Sequence, residues 1–68
     1  MDEKHIGACI RMAMAKNNFE NKDLVEKLGK TRQTIHSYTR GKCKNVDTLC
    51  EIAEVCGMTY DEMMRLAE

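Results

Sequence analysis

An all-α domain is the fold class this sequence predicts, and three features point to it. Apolar residues recur at intervals of three and four, as one buried helix face requires, rather than alternating. The 68 residues include no proline, no Trp and a single Phe, a composition at odds with a sandwich or a disordered tail. Glycines and capping residues then cut the chain into short helical segments. One domain over residues 1–68 is expected, without linker, repeat or low-complexity run. A chain this short leaves no room for a large cleft between two layers, so an enzyme is not expected.

The first helix is read over residues about 3 to 16, because Ile6, Ile10, Ala13 and Met14 fall on one face and the polar pair Asn17-Asn18 ends it. Leu24, Val25 and Leu28 form the inner face of a second helix from about 21 to 28. Phe19 is placed to staple back on that face, and Gly29 supplies a left-handed stop. Thr31 caps a third helix with Ile35 and Tyr38 inward, and Gly41 lies where the chain must turn away. Asn45 caps a fourth, with Val46, Leu49, Ile52, Ala53 and Cys56 inward and Gly57 closing it. Thr59 and Glu62 are spaced as a capping box for a fifth helix carrying Tyr60, Met63, Met64 and Ala67.

No apolar run approaches the roughly 20 residues that span a bilayer, and the opening MDEKHIGACI lacks the apolar centre of a signal peptide. A cytoplasmic protein with no membrane partner is expected. Cys9, Cys43, Cys50 and Cys56 are separated by 34, 7 and 6 residues and make no C-x-x-C pair, so free thiols are expected rather than a stapled scaffold. Cys56 reads as a small hydrophobe in an apolar row and Cys43, in a polar loop, as the exposed thiol. His5 and Cys9, four apart on one helix face, could offer two metal ligands. Without a matching second pair they read as ordinary side chains, and neither a metal nor another cofactor is expected.

Net charge is zero, yet residues 22 to 44 carry +5 and residues 45 to 68 carry −5. A neutral total is compatible with a polyanion partner when one segment supplies the positive field and the acidic end faces away. With Ile35 and Tyr38 toward the core, a rotation of about 100° per residue points Gln33, Ser37 and Arg40 nearly opposite. His36 flanks them and Arg32 stands near the helix start. Any exposed helix face is polar, so composition alone leaves a merely solvated face open. The glycine turn and the basic flanks favour base reading. Gln can bond N6 and N7 of adenine, Arg can fork onto O6 and N7 of guanine, and Ser or His can add single contacts.

Taken in order, Asn21, Leu24, Leu28 and Gly29, then TRQTIHSYTRGK, NVDTLCEIAEVCG and MTYDEMM, resemble the DNA-binding domain of the phage repressor and Cro helix-turn-helix family over residues 6 to 66. That resemblance implies a compact five-helix domain whose second and third helices form the motif. The function implied is a sequence-specific regulator of transcription on double-stranded DNA, of phage or mobile-element type and most like the short Cro-like repressors. It puts Arg32, Gln33 and Ser37 at base edges, with His36 close by. Asn21 would bind a phosphate through its side chain and the helix N-terminus, and Lys42 and Lys44 would touch the backbone on the other side. Lys22, Lys30, Thr31 and Arg40 complete the expected backbone contacts. No small-molecule ligand is implied.

Three departures from the family pattern stand out. Met14 and Thr39 stand where many members pair an Arg with a Glu, which implies a neutral contact in place of an ion pair. Val25 and Lys30 replace an Ala and an apolar turn residue, so a slightly opened crossing of the two helices is expected. Glu20 stands where a Ser, Thr or Asn cap is usual, and Asn21 or Asn18 is expected to take over that role. Members generally bind palindromic operators as dimers, often through the last helix. Met58, Tyr60, Met64 and Leu66 are more apolar than a solvated helix end needs and are the expected dimer surface, against the alternative that they finish the monomer core. A protein-interaction module on the same fold, an antirepressor or antitoxin-like adaptor using the acidic third, is the competing function.

Overall fold

Each expected helix forms, and those headed by Thr31, Asn45 and Thr59 start at the caps expected of them. The computed structural model describes residues 2–68, as α1 (Glu3–Lys16), α2 (Asn21–Leu28), α3 (Arg32–Thr39), α4 (Val46–Val55) and α5 (Tyr60–Met64). Asp2 caps α1 by accepting from the Lys4 N–H at 3.1 Å. Asn45 accepts from the Thr48 N–H at 3.3 Å at the head of α4. At α5 the box closes reciprocally, with the Glu62 N–H donating to Thr59 Oγ1 at 3.1 Å and the Thr59 N–H to Glu62 Oε1 at 2.9 Å. The two backbone donors are thereby satisfied, and the Thr59 N–H holds the Glu62 carboxyl below its ordinary range.

The core is a single cluster to which every helix contributes: Ile6, Ile10 and Ala13 of α1, Leu24 of α2, Ile35 of α3, Leu49, Ile52 and Ala53 of α4, and Met63 of α5. Helix α1 is the central element, packing against α3, α4 and α5, while α2 packs on α3 and α4. By contrast α3 is held by α1 and α2 alone, which leaves its far side facing solvent. Two side-chain ties lock the ends of α1. Asn17 Nδ2 donates to the carbonyls of Ala13 at 3.1 Å and Cys56 at 2.8 Å, fastening the end of α1 to the end of α4. His5 Nε2–H donates to the Met64 carbonyl at 2.8 Å and the Cys9 thiol donates to the same oxygen at 3.4 Å. The His5–Cys9 pair thus holds the C-terminal end of α5, where a carbonyl would otherwise lack a donor.

Several expectations need correction. Val46 is 54% exposed rather than inward, because as the first residue of α4 it sits on a turn that leaves the body before the helix reaches the core at Leu49. Cys43 is buried, not exposed: the chain leaving α3 folds under, and its thiol donates to the Asn45 carbonyl at 3.8 Å. Neither Asn21 nor Asn18 takes over the cap of α2. Glu20 keeps the position, and Asp23 reaches back to accept from the Glu20 N–H at 2.7 Å. Asn18 instead adopts φ +56°, a left-handed conformation that Asn tolerates, and so turns the chain out of α1.

Candidate nucleic-acid interface

The joint between α2 and α3 is set by two residues. Gly29, at φ +66°, ends α2 in the left-handed region and donates its N–H to the Val25 carbonyl at 3.0 Å. Thr31 starts α3, its Oγ1 accepting from the Thr34 N–H at 3.2 Å. With Ile35 fully buried and Tyr38 half-buried, the opposite side of α3 is turned out. Arg32, Gln33 and His36 are exposed there and Ser37 is half-exposed.

These four side chains lie together. They form one wall of an open groove of about 840 Å³ whose other wall is the head of α2, with Glu20, Asn21 and Lys22. Asn21 occupies the first turn of α2, where backbone N–H groups have no partner inside the helix and the helix dipole presents its positive end. The groove therefore combines side-chain hydrogen-bonding groups with an anion-favouring helix end. Lys30 and Thr31 are exposed at the α2–α3 turn, and Arg40, Lys42 and Lys44 are exposed beyond the other end of α3. All seven backbone candidates thus border the groove residues or flank α3 in the chain, though Lys22 pairs with Glu20 at 3.5 Å.

The far end of α3 is anchored by contacts the sequence reading overlooked. Arg11 of α1 donates to the Thr39 carbonyl, placing a cation at the C-terminal end of α3, where the dipole favours it. Met14 and Thr39, expected to meet as a neutral pair, are both buried and line one recess beside Arg11, so the charge comes from one turn earlier on α1. The Thr39 hydroxyl is satisfied locally, donating to the His36 carbonyl at 2.8 Å. Gly41 lies directly on α1. A Cβ at Gly41 would stand 1.8 Å from the Glu3 carbonyl oxygen, and one at Gly7 would stand 3.0 Å from the backbone of Thr39, Arg40 and Gly41. The two glycines let the exit of the third helix seat against the first with backbone on backbone, which fixes the direction in which α3 projects.

Two acidic residues also belong to this surface. Glu20 lines the groove, and Glu3 reaches Lys42 and Lys44 across from α1. Their signal in the sequence was weak, since an isolated Glu near a helix start reads first as a dipole partner. On the expected dimer surface, Met58, Tyr60 and Leu66 are partly buried against the core and Met64 is buried within it. Tyr60 shares a small recess of about 160 Å³ with the exposed Val46. No helix among the described residues is long and apolar enough to cross a membrane.

Compared with known families, residues 10–63 match the family model described as helix-turn-helix. No curated protein matches, and no solved structure matches.

Proposed function

This chain belongs to the helix-turn-helix family of DNA-binding transcription regulators, of the phage repressor and Cro type, and from that premise we propose that it is a Cro-like repressor that binds a palindromic operator as a dimer. The observation that carries the reading is the gathering of Arg32, Gln33, His36 and Ser37 with Asn21 and Lys22 around one open groove on the free side of α3. In this reading α3 enters the major groove. Gln33 reads an adenine or Arg32 a guanine by paired hydrogen bonds, and Ser37 and His36 add single contacts. Asn21 and the head of α2, with Lys22, Lys30 and Thr31, hold phosphates on one side, and Arg40, Lys42 and Lys44 hold them on the other. Occupying the operator obstructs polymerase.

The dimer is read onto Met58, Tyr60 and Leu66, backed from the core by Met64 and extended by Val46 beside Tyr60. The exposed carboxylates of α4 and α5 support that placement, because phosphates would repel that end if it faced DNA. Two-fold pairing would set the recognition helices about one helical turn apart, roughly 34 Å, giving half-site centres about 10 base pairs apart.

Binding of duplexes measured across a range of salt tests the function. Log affinity should fall linearly with log salt, with a slope of about −0.9 for each phosphate neutralised. A folded protein that binds no duplex at any salt would instead point to a protein-interaction module using the acidic third.

A further inference from the structure

Lys42 and Lys44, both read as phosphate contacts, are already engaged within the chain. Lys42 Nζ donates to Glu3 Oε2 at 3.1 Å, and Lys44 Nζ lies 3.7 Å from Glu3 Oε1, so a single carboxylate holds one ammonium on each oxygen. The meeting is imposed by the backbone. Gly41, the residue before Lys42, rests on the Glu3 carbonyl so closely that no side chain fits between them. The two lysines hold the Glu3 carboxyl below its ordinary range. Both ammonium side chains nonetheless remain more than half exposed, at 55% and 65%, so an outside anion can reach them.

We propose that Glu3 is an intramolecular stand-in for a DNA phosphate, a brake that competes with the duplex for Lys42 and Lys44. A carboxylate and a phosphate present the same thing to an ammonium, a pair of anionic oxygen acceptors. When DNA arrives each lysine exchanges a Glu3 oxygen for a phosphate oxygen, and the released carboxylate is left beside the DNA backbone, where like charge opposes it. Glu3 touches no base-reading residue, so the brake acts on every sequence alike and lowers affinity without changing base preference.

The inference rests on the DNA-binding reading, and the test separates the two. Affinity for a duplex of arbitrary sequence is measured by fluorescence anisotropy, over a salt series, for wild type, Glu3→Gln and Glu3→Asp. The same is done for Glu3→Gln in a chain already carrying Lys42→Ala and Lys44→Ala, with circular dichroism confirming the fold of each. At low salt Glu3→Gln should bind about three- to tenfold more tightly, the range expected for releasing two exposed ion pairs. The gain should shrink as salt rises, with the salt slope steeper by up to about 0.9. Glu3→Asp, which keeps the charge but draws it back by one methylene, should gain less. In the doubly substituted background only like-charge repulsion between Glu3 and the DNA backbone remains, so the gain from Glu3→Gln should be clearly smaller. An unchanged or weakened Glu3→Gln overturns the brake and leaves DNA binding standing, as does an equal gain in both backgrounds, which would mean a general charge effect. A wild-type chain that binds no duplex overturns both.

Discussion

Replacing Gly41 by Ala should do far more damage than the same change at Gly29, although both glycines have positive φ. At Gly29, φ is +66° and nothing lies within 4 Å of where a Cβ would stand, so the cost is conformational only, about 1–2 kcal/mol for an L-residue held in the left-handed region. At Gly41, φ is +82° and the new Cβ would stand 1.8 Å from the Glu3 carbonyl oxygen and 2.7 Å from its carbon. Ordinary contact begins at 3.4 Å, and the obstacle is helix backbone rather than a flexible side chain. Helix α1 would have to retreat, adding the overpacking cost of about 1–3 kcal/mol, for a total of about 2–5 kcal/mol. A domain of this size has about 3–10 kcal/mol to lose, at roughly 0.05–0.15 kcal/mol per residue. Gly7→Ala makes a useful third member, because its contacts of 3.0 Å are tight but its helical backbone gains about 1 kcal/mol of propensity from Ala. Urea unfolding followed by far-UV circular dichroism gives the three stabilities. The order should be Gly41→Ala least stable, with Gly29→Ala and Gly7→Ala well above it. Equal losses at Gly41 and Gly29 would refute the close seating of the third helix on the first.

Glu62→Gln should remove part of the acid sensitivity of folding. The Glu62 carboxyl lies below its ordinary 4.5, so its stabilisation is present above that value and is lost as pH falls through the depressed one. The difference in melting temperature between wild type and Glu62→Gln should therefore be largest near neutrality and close as pH falls through the depressed carboxylate range, and a constant difference across that range would remove the carboxylate from the capping role. Tyr60→Asp and Val46→Asp should each abolish cooperative binding to a full operator while leaving a single half-site bound as weakly as before. Val46 is the cleaner probe because its exposed side chain can be changed without opening the core. Equal loss on half-site and full site would place the dimer contact elsewhere.

Much of the fold was legible because local signals and burial agreed. The starts of α3, α4 and α5 carried their own caps, and the apolar spacing in α1 and α4 marked the faces that enter the core at Ile10, Leu49 and Ile52. The outer face of α3 was legible for the same reason: once Ile35 is inside, Gln33 and Ser37 have to lie outside. What escaped was whatever depends on a distant partner. Val46 fits the apolar row of its helix, but the row says nothing of how far the first turn stands from the body. Cys43 looked exposed because its neighbours are polar, and only the path of the chain after Gly41 buries it. Glu3 and Lys42 are 39 residues apart, and no local pattern announces that one carboxylate will hold two lysines. The Gly7–Gly41 seat was hidden likewise, since each glycine has an innocent local explanation.

That the outward face of α3 reads bases is tested most directly by selecting bound duplexes from a random pool with wild type, Gln33→Ala and Lys42→Ala. Gln33 lies in the groove beside Arg32 and is exposed, so its loss should leave the fold intact. Gln33→Ala should cost about 1–3 kcal/mol on the preferred site and relax selection at one or two base pairs in each half-site. Lys42→Ala should keep the wild-type preference and weaken all sequences alike. Unchanged base preference in a folded Gln33→Ala, or a preference altered by Lys42→Ala instead, would contradict the assignment of α3 as the reading helix.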